Sequence, residues 1–237
     1  AILYPNNNYG NYINSIIDSI ALKNKLIIIS RASYNEDLSD ARNAIKEVSN
    51  YEFRKKELDR QKKILKEKND EVSKIALKKI EKFETAGTLD FSHLILPDYS
   101  IRLLQIASLL PFYDVDPKIV QFVGTGVWDN KVFFNEPSLQ GAIFPGIDQN
   151  KRIKYMNEYY SNYNEKPDRT ITIPYDLIGI IEYLIKNEFN LEETYKLLNN
   201  NTTTFDGIDG KFSFKKNIIF RELNILKISE GTANLVN

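Results

Sequence analysis

Residues 93–126 read HLILPDYSIRLLQIASLLPFYDVDPKIVQFVGTG, and their order decides the fold. His93–Leu96 is a short apolar run stopped by Pro97-Asp98, which marks a strand end. Ser100–Leu110 places Ile101, Leu104, Ile106, Ala107 and Leu110 at helical spacing. Ile119–Val123 is a second β-branched run that ends at Gly124-Thr125-Gly126. Strand, helix and strand within about thirty residues form a βαβ unit, whose strands lie parallel in one sheet.

The same order extends outward on both sides. Ala1–Tyr4 is apolar and stops at the turn-forming Pro5-Asn6-Asn7-Asn8, after which Tyr9-Gly10 leads into Ile13, Ile16, Ile17 and Ile20. Lys25–Ser30 (KLIIIS) is apolar without alternation, the pattern of a strand covered on both faces. Gly141–Ile147 (GAIFPGI) is one more apolar run. Strands and helices alternating through residue 147 predict an α/β fold with a doubly wound, mostly parallel sheet. Its ligand crevice is expected at the carboxyl ends of the strands.

Composition bounds the chemistry. The 237 residues are 42% hydrophobic, 27% charged and 12% aromatic, enough to bury a core without disulfides or a structural metal. With no cysteine, thiol nucleophiles, zinc-thiolate knuckles and iron-sulfur sites are excluded. Thirty-two Lys+Arg balance 32 Asp+Glu, so no global field favours nucleic acid or anionic lipid. No apolar run approaches eighteen residues, and residues 1–4 open as a strand with no basic segment before them.

Residues 37–85 contain neither Pro nor Gly and consist of helix formers, with Asp37 or Ser39 as the opening cap. Twelve Lys/Arg and seven Asp/Glu fall between Glu52 and Phe83, including Glu52/Lys56, Asp59/Lys63 and Asp70/Lys74 at i,i+4 spacing. Leu58, Leu65, Val72, Ile75, Ile80 and Phe83 form a narrow apolar stripe, enough for one partner helix. A solvated, charged helical insertion over 37–85, outside the sheet, is expected; the other reading is a partner-binding arm. Beyond residue 147, helices are expected over Lys151–Tyr163, Pro174–Phe189 and Leu191–Leu198, then a polar loop at Asn199–Asn201. Leu177, Ile178, Ile181, Leu184 and Ile185 make the middle helix broadly apolar. Phe205–Phe214 with Ile218–Ile228 read as a closing β-hairpin.

Catalytic constellations are scarce. His93 is the only histidine and lies inside a strand run, which favours a structural role over a triad or metal site. Gly124-Thr125-Gly126 follows a strand as a phosphate loop would, but no GxGxxG or GxxxxGK[ST] surrounds it, so it reads as a tight turn. Asp206–Gly210 lacks the oxygen series of a calcium loop and reads as turn chemistry. By contrast, Pro5–Gly10, Ser33-Tyr34, Pro97–Tyr99, Thr125–Trp128 and Tyr175 all stand at or beyond strand ends. Together they give aromatic walls with a few polar groups, a binding cleft without catalytic machinery. Each of these aromatics also has the plainer reading that it closes the end of the sheet, and Asp98 the plainer reading of a cap on the following helix.

The succession Ile2–Pro5 with Tyr9-Gly10, Tyr34, Leu94–Asp98, Val120–Trp128 (VQFVGTGVW), Gly141–Phe144, Tyr175-Asp176 and Phe205–Phe214 (FDGIDGKFSF) resembles the type I periplasmic binding proteins of the Leu/Ile/Val-binding-protein-like family. The resemblance runs nearly end to end apart from residues 37–90. The charged insertion followed by LILPD and LLPFYDVDP is similar to the branch named for penicillin-binding protein activators or branched-chain amino-acid receptors. It implies a second-lobe α/β domain over 1–147, a helical segment over 148–200 that packs on another lobe, and a hairpin over 201–237 returning to the sheet. It also implies that the chain is a fragment beginning at the first strand of the second lobe.

Functionally, the resemblance implies a non-enzymatic, periplasmic, membrane-anchored solute receptor of the ABC-transporter type, without cofactor, that closes on a small polar ligand such as an amino acid. The ligand-lining residues expected are Tyr34, Asp98, Tyr99, Thr125 and Trp128. Partners implied are a membrane permease or, in the alternative, a cell-wall synthase regulated by protein contact, and the missing first lobe or a second chain, but not nucleic acid. Family receptors for amino acids place a carboxylate after the GTG-like turn; here that position offers Trp128-Asp129.

Overall fold

The computed structural model describes residues 1–237 except 69, 148, 169, 170, 201, 217 and 237. The chain divides into two compact units, Ala1–Phe144 with Lys227–Thr232, and Pro145–Leu226 with Ala233–Asn237.

The first unit opens with β1 (Ile2–Pro5), α1 (Asn8–Asn24) and β2 (Arg31–Tyr34). Asn7 starts α1 by accepting the Gly10 N–H, and Lys25 ends it in the left-handed region at φ 55°. The Leu26 N–H then bonds the Ala21 carbonyl, closing a Schellman turn. Helices α2 (Ala41–Val48), α3 (Tyr51–Lys68) and α4 (Glu71–Ile80) precede β3 (His93–Ile95) and α5 (Ser100–Leu109). β4 (Gln121–Val123), a short 3-10 turn at Gly126–Trp128, α6 (Lys131–Phe134) and β5 (Ile143–Gly146) complete the run.

The second unit carries α7 (Gln149–Tyr163), α8 (Thr172–Lys186) and α9 (Leu191–Asn199), then β6 (Phe205–Gly207), β7 (Gly210–Lys215) and β8 (Ile218–Arg221). Last come β9 (Asn224–Ser229) and β10 (Thr232–Leu235). A seven-stranded sheet has the order β10-β9-β5-β4-β3-β1-β2. β1 pairs in parallel with β2 and β3, β3 with β4, and β4 with β5. The core of the first unit is Ile2, Leu3, Leu94, Phe122 and Phe144 from these strands, covered by Ile45 of α2 and Leu103, Ile106 and Ala107 of α5. The mostly parallel α/β sheet is the fold class expected from the alternation.

Several local expectations need correction. Leu26, Ile27 and Ile29 are exposed by 59%, 80% and 52%, and the strand begins only at Arg31. The four residues of β1 pair one for one with Arg31–Tyr34, so the partner's length, and not the apolar run, sets this edge strand. The charged excursion is shorter than 37–85. Ala41, Ala44, Ile45 and Val48 of α2 are buried in the core, so α2 is a crossover helix of the sheet and only α3 and α4 form the charged hairpin. Within that hairpin Val72 and Ile75 face solvent, and α4 turns Ser73 inward instead. Asp70 caps α4 through the Ser73 N–H rather than pairing with Lys74.

In the second unit, β6, β7 and β8 form a separate antiparallel sheet rather than part of one closing hairpin. Asn201 of the expected polar loop lies outside the described residues. Asp176 of α8 accepts the Ile208 N–H at 2.9 Å and Arg221 Nη2 at 3.1 Å. Gly207 has to be glycine there, because a Cβ would run into the Asp176 carboxylate. Asp209 receives the Thr172 hydroxyl and an ion pair from Arg152. The FDGIDG stretch is therefore a tight turn fastened to the helices by its Asp209 carboxylate and by the Asp176 carboxylate of α8, as turn chemistry predicts.

Candidate functional site

In the order β4-β3-β1-β2 the chain leaves β1 toward β2 on one side and re-enters at β3 on the other. Loops after β1 and β3 therefore part from each other, and a crevice opens at the carboxyl ends of these strands. Tyr9, in the first turn of α1, stands on one side and Tyr99, just before α5, on the other. Their rings meet edge to face at 5.6 Å. The Tyr9 hydroxyl lies 2.7 Å from Thr125 Oγ1, tying the β1 loop to the β4 loop. Gly10 permits this approach, since a Cβ there would strike the Pro5 carbonyl. A cavity of about 510 Å³ opens here, lined by Tyr9, Tyr99, Ser100, Leu104, Val127 and Asn130 among others. Ser100 lies at φ 64°, so backbone strain of about 1–2 kcal/mol sits at the mouth of the crevice.

Under this crevice is a buried polar network. Asp98, fully buried, accepts the Tyr34 hydroxyl at 2.6 Å, Arg102 Nε and Nη2 both at 2.8 Å, and the Tyr99 N–H at 2.7 Å. Arg102 also reaches Glu36 at 3.2 Å and lies 5.7 Å over the Tyr99 ring. The Trp128 indole donates to the Asp98 carbonyl at 3.0 Å and lies against Gly124, where a Cβ would collide with the ring. Burial, together with the Asp98 charge, pushes the Tyr34 phenol far above its ordinary range, and the Asp98 hydrogen bonds hold Arg102 even more firmly protonated.

The expected site residues thus separate into two layers. Tyr99 lines the cavity together with Tyr9, while Thr125 is not among the lining residues and stands behind Tyr9, its hydroxyl 2.7 Å from the phenol. Tyr34, Asp98 and Trp128 are corrected: they are 1%, 0% and 0% exposed and form the floor that fixes the loops, with their polar atoms already engaged. Sequence showed that they follow strand ends but not which way they face. Arg102, four residues after Asp98, was the overlooked signal, because an i,i+4 carboxylate–guanidinium pair at a helix start favours an internal bridge. Tyr175 stands in the second unit, half exposed and packed edge-on against Tyr155 at 5.0 Å. His93 is exposed, its Nδ1 2.8 Å from Ser92 Oγ. The second unit has a groove of about 660 Å³ beside Tyr175, Tyr183 and Phe205, but its Asp176 carboxylate is spent on Ile208 and Arg221.

This fold recurs in solved structures. The fold is that of the type I periplasmic binding proteins. A branched chain amino acid ABC transporter periplasmic ligand-binding protein from Burkholderia xenovorans aligns with 100% of this chain and 57% of its own, at TM-score 0.62 and 11% identity. An extracellular ligand-binding receptor from Rhodopseudomonas palustris HaA2 aligns with 99% and 62%, at TM-score 0.60 and 10% identity. A solute binding protein of an ABC transporter from Rhodopseudomonas palustris BisB5, in complex with 3,4-dihydroxy benzoic acid, aligns with 97% and 56%, at TM-score 0.51 and 12% identity. The chain spans less than two thirds of the length of these binding proteins. No family model and no curated protein matches the sequence.

Proposed function

We propose that the first unit is one lobe of a non-enzymatic, extracytoplasmic solute receptor, and that its ligand rests in the crevice lined by the touching rings of Tyr9 and Tyr99. The observation that carries this reading is the crevice composition: two aromatic rings, one of whose phenols is held by Thr125, the Ser100 side chain, Asn130 and apolar Leu104 and Val127, at the topological switch point of a parallel sheet. The lining carries no carboxylate to hold an ammonium group, since Asp98 lies beneath it. This lobe therefore suits the uncharged, ring-bearing and hydroxyl-bearing part of a ligand better than the amino group of an amino acid. Capture proceeds by closure against a second lobe, on which the apolar stripe of α8 packs, and delivery is to an ATP-driven membrane permease. The reading as a regulator of a cell-wall synthase would place that contact on the protruding α3–α4 hairpin, where Phe53, Val72 and Ile75 are exposed.

Catechol and leucine distinguish the ligand classes in an NMR titration of the labelled chain. Catechol is expected to give saturable shifts at Tyr9, Tyr99, Thr125 and Asn130, with leucine at least tenfold weaker. Tyr99→Ala should weaken catechol by about 1–3 kcal/mol, the usual cost of removing an aromatic anchor, without lowering the unfolding midpoint. Tighter binding of leucine, or shifts that leave these residues unmoved, would reject the assignment.

A further inference from the structure

A second cavity lies at the opposite end of the same strands, where the segment leading into β3 meets the loop leading into β4. It measures about 360 Å³ and is walled by Arg54, Phe83, Thr85, Thr88, Asp114 and Ile119 with their neighbours. Arg54, in the first turn of α3, is only 7% exposed. Its Nε donates to the Ala86 carbonyl at 3.3 Å, and its Nη2 to the Gly87 carbonyl at 3.3 Å and to Asp114 Oδ2 at 2.8 Å. The Thr85 hydroxyl donates to the same Asp114 oxygen. The remaining nitrogen, Nη1, is buried with no hydrogen-bond partner among the described residues. A guanidinium N–H that has lost water and found no acceptor is costly, so an outside acceptor at this point is favoured.

The surroundings define that acceptor. Asp114 already matches the Arg54 charge, and Asp116, also in the wall, leaves the cavity net negative by one. An anionic ligand is thereby disfavoured and a neutral carbonyl oxygen suits the site. Phe83 and Ile119, 51% and 73% exposed, offer apolar surface to the body that bears it. The backbone at Gly87 turns at φ 66° with no heavy atom within 4 Å of where a Cβ would stand, so this side of the cavity has room to shift toward or away from Nη1.

We propose that the cavity at the base of the α3–α4 hairpin is a second binding site, separate from the crevice, for a small neutral amide whose carbonyl accepts from Arg54 Nη1 and whose apolar group lies on Phe83 and Ile119. The volume falls within the range of small-molecule sites, about 300–1,000 Å³. Occupation would brace the hairpin against the loops entering β3 and β4.

The test is an NMR titration of the full, labelled chain with N-acetyl-leucine N-methylamide, alongside N-acetyl-leucine, which has the same body but ends in a carboxylate. Saturable shifts confined to residues 83–89 and 114–120 are expected, with the acid at least tenfold weaker. Thr88→Trp, which fills the cavity from an exposed rim position without touching the Arg54 bonds, should reduce amide binding at least tenfold at an unchanged thermal midpoint. Equal or tighter binding of the acid, shifts centred on Tyr9 and Tyr99, or undiminished binding to the Thr88→Trp protein would each overturn the proposal.

Discussion

Replacing Asp98 by alanine should destabilise the first unit rather than selectively weaken ligand capture. The carboxylate is fully buried and receives the Tyr34 hydroxyl, two guanidinium nitrogens of Arg102 and the Tyr99 N–H. Alanine leaves the phenol without its acceptor and leaves Arg102, 13% exposed, with only the solvent-facing Glu36 at 3.2 Å. Breaking a buried pair by removing one partner costs about 3–5 kcal/mol. Tyr34→Phe removes a single hydrogen bond while the ring still packs, about 1 kcal/mol. The double variant Asp98→Leu/Arg102→Met leaves no unpaired charge and should recover much of the loss.

Urea unfolding followed by the emission of Trp128 is the direct assay. It is the only tryptophan in the chain, and its indole bonds to the Asp98 carbonyl, so the signal reports this unit and this loop. At a slope of about 2 kcal/mol/M, the single alanine variant should lower the midpoint by about 2 M. A loss under 1 kcal/mol, or a double variant no better than Asp98→Ala, would refute the view that Asp98 is the internal anchor of the crevice floor.

Three further outcomes follow from particular contacts. Because the Tyr34 phenol is raised in the folded state, the native protein holds that proton where the unfolded chain releases it, so stability should fall as pH rises above about 10. Tyr34→Phe should flatten that alkaline loss relative to the parent; identical alkaline profiles would contradict it. Residue 62 lies beside the hairpin's return, with Lys62 Nζ 3.2 Å from the Phe83 carbonyl, so replacing residues 63–80 by a short Gly/Ser linker should change the thermal midpoint by only a few degrees. A collapse of the transition would make the hairpin part of the core. On α8, Ile178, Ile181 and Ile185 are 65%, 54% and 71% exposed along one stripe, so the chain on its own should self-associate or bind an apolar dye, and Ile181→Lys with Ile185→Glu should reduce this. A monomeric, dye-silent chain would show that the stripe is compatible with solvent.

What the sequence made legible follows from how local each feature is. Turn residues and helical spacing located β3, α5 and β4 within a residue or two, because Pro97 and Gly124 interrupt the chain by their own backbone preferences. The run Leu26–Ile29 misled, since a strand exists only where a neighbour supplies its ladder, and β1 meets Arg31–Tyr34. That Tyr34, Asp98 and Trp128 follow strand ends was legible, yet which of the strand-end residues face the crevice depended on contacts across 64 and 30 residues, Tyr34 with Asp98 and Trp128 with the Asp98 carbonyl. Residue type and strand-end position alone put both Asp98 and Trp128 among the expected ligand-lining residues. In the folded unit the same pair is what a parallel sheet needs near its switch point: a satisfied buried charge that fastens the ends of β2, β3 and β4 to one another, beneath the paired rings of Tyr9 and Tyr99 that line the crevice.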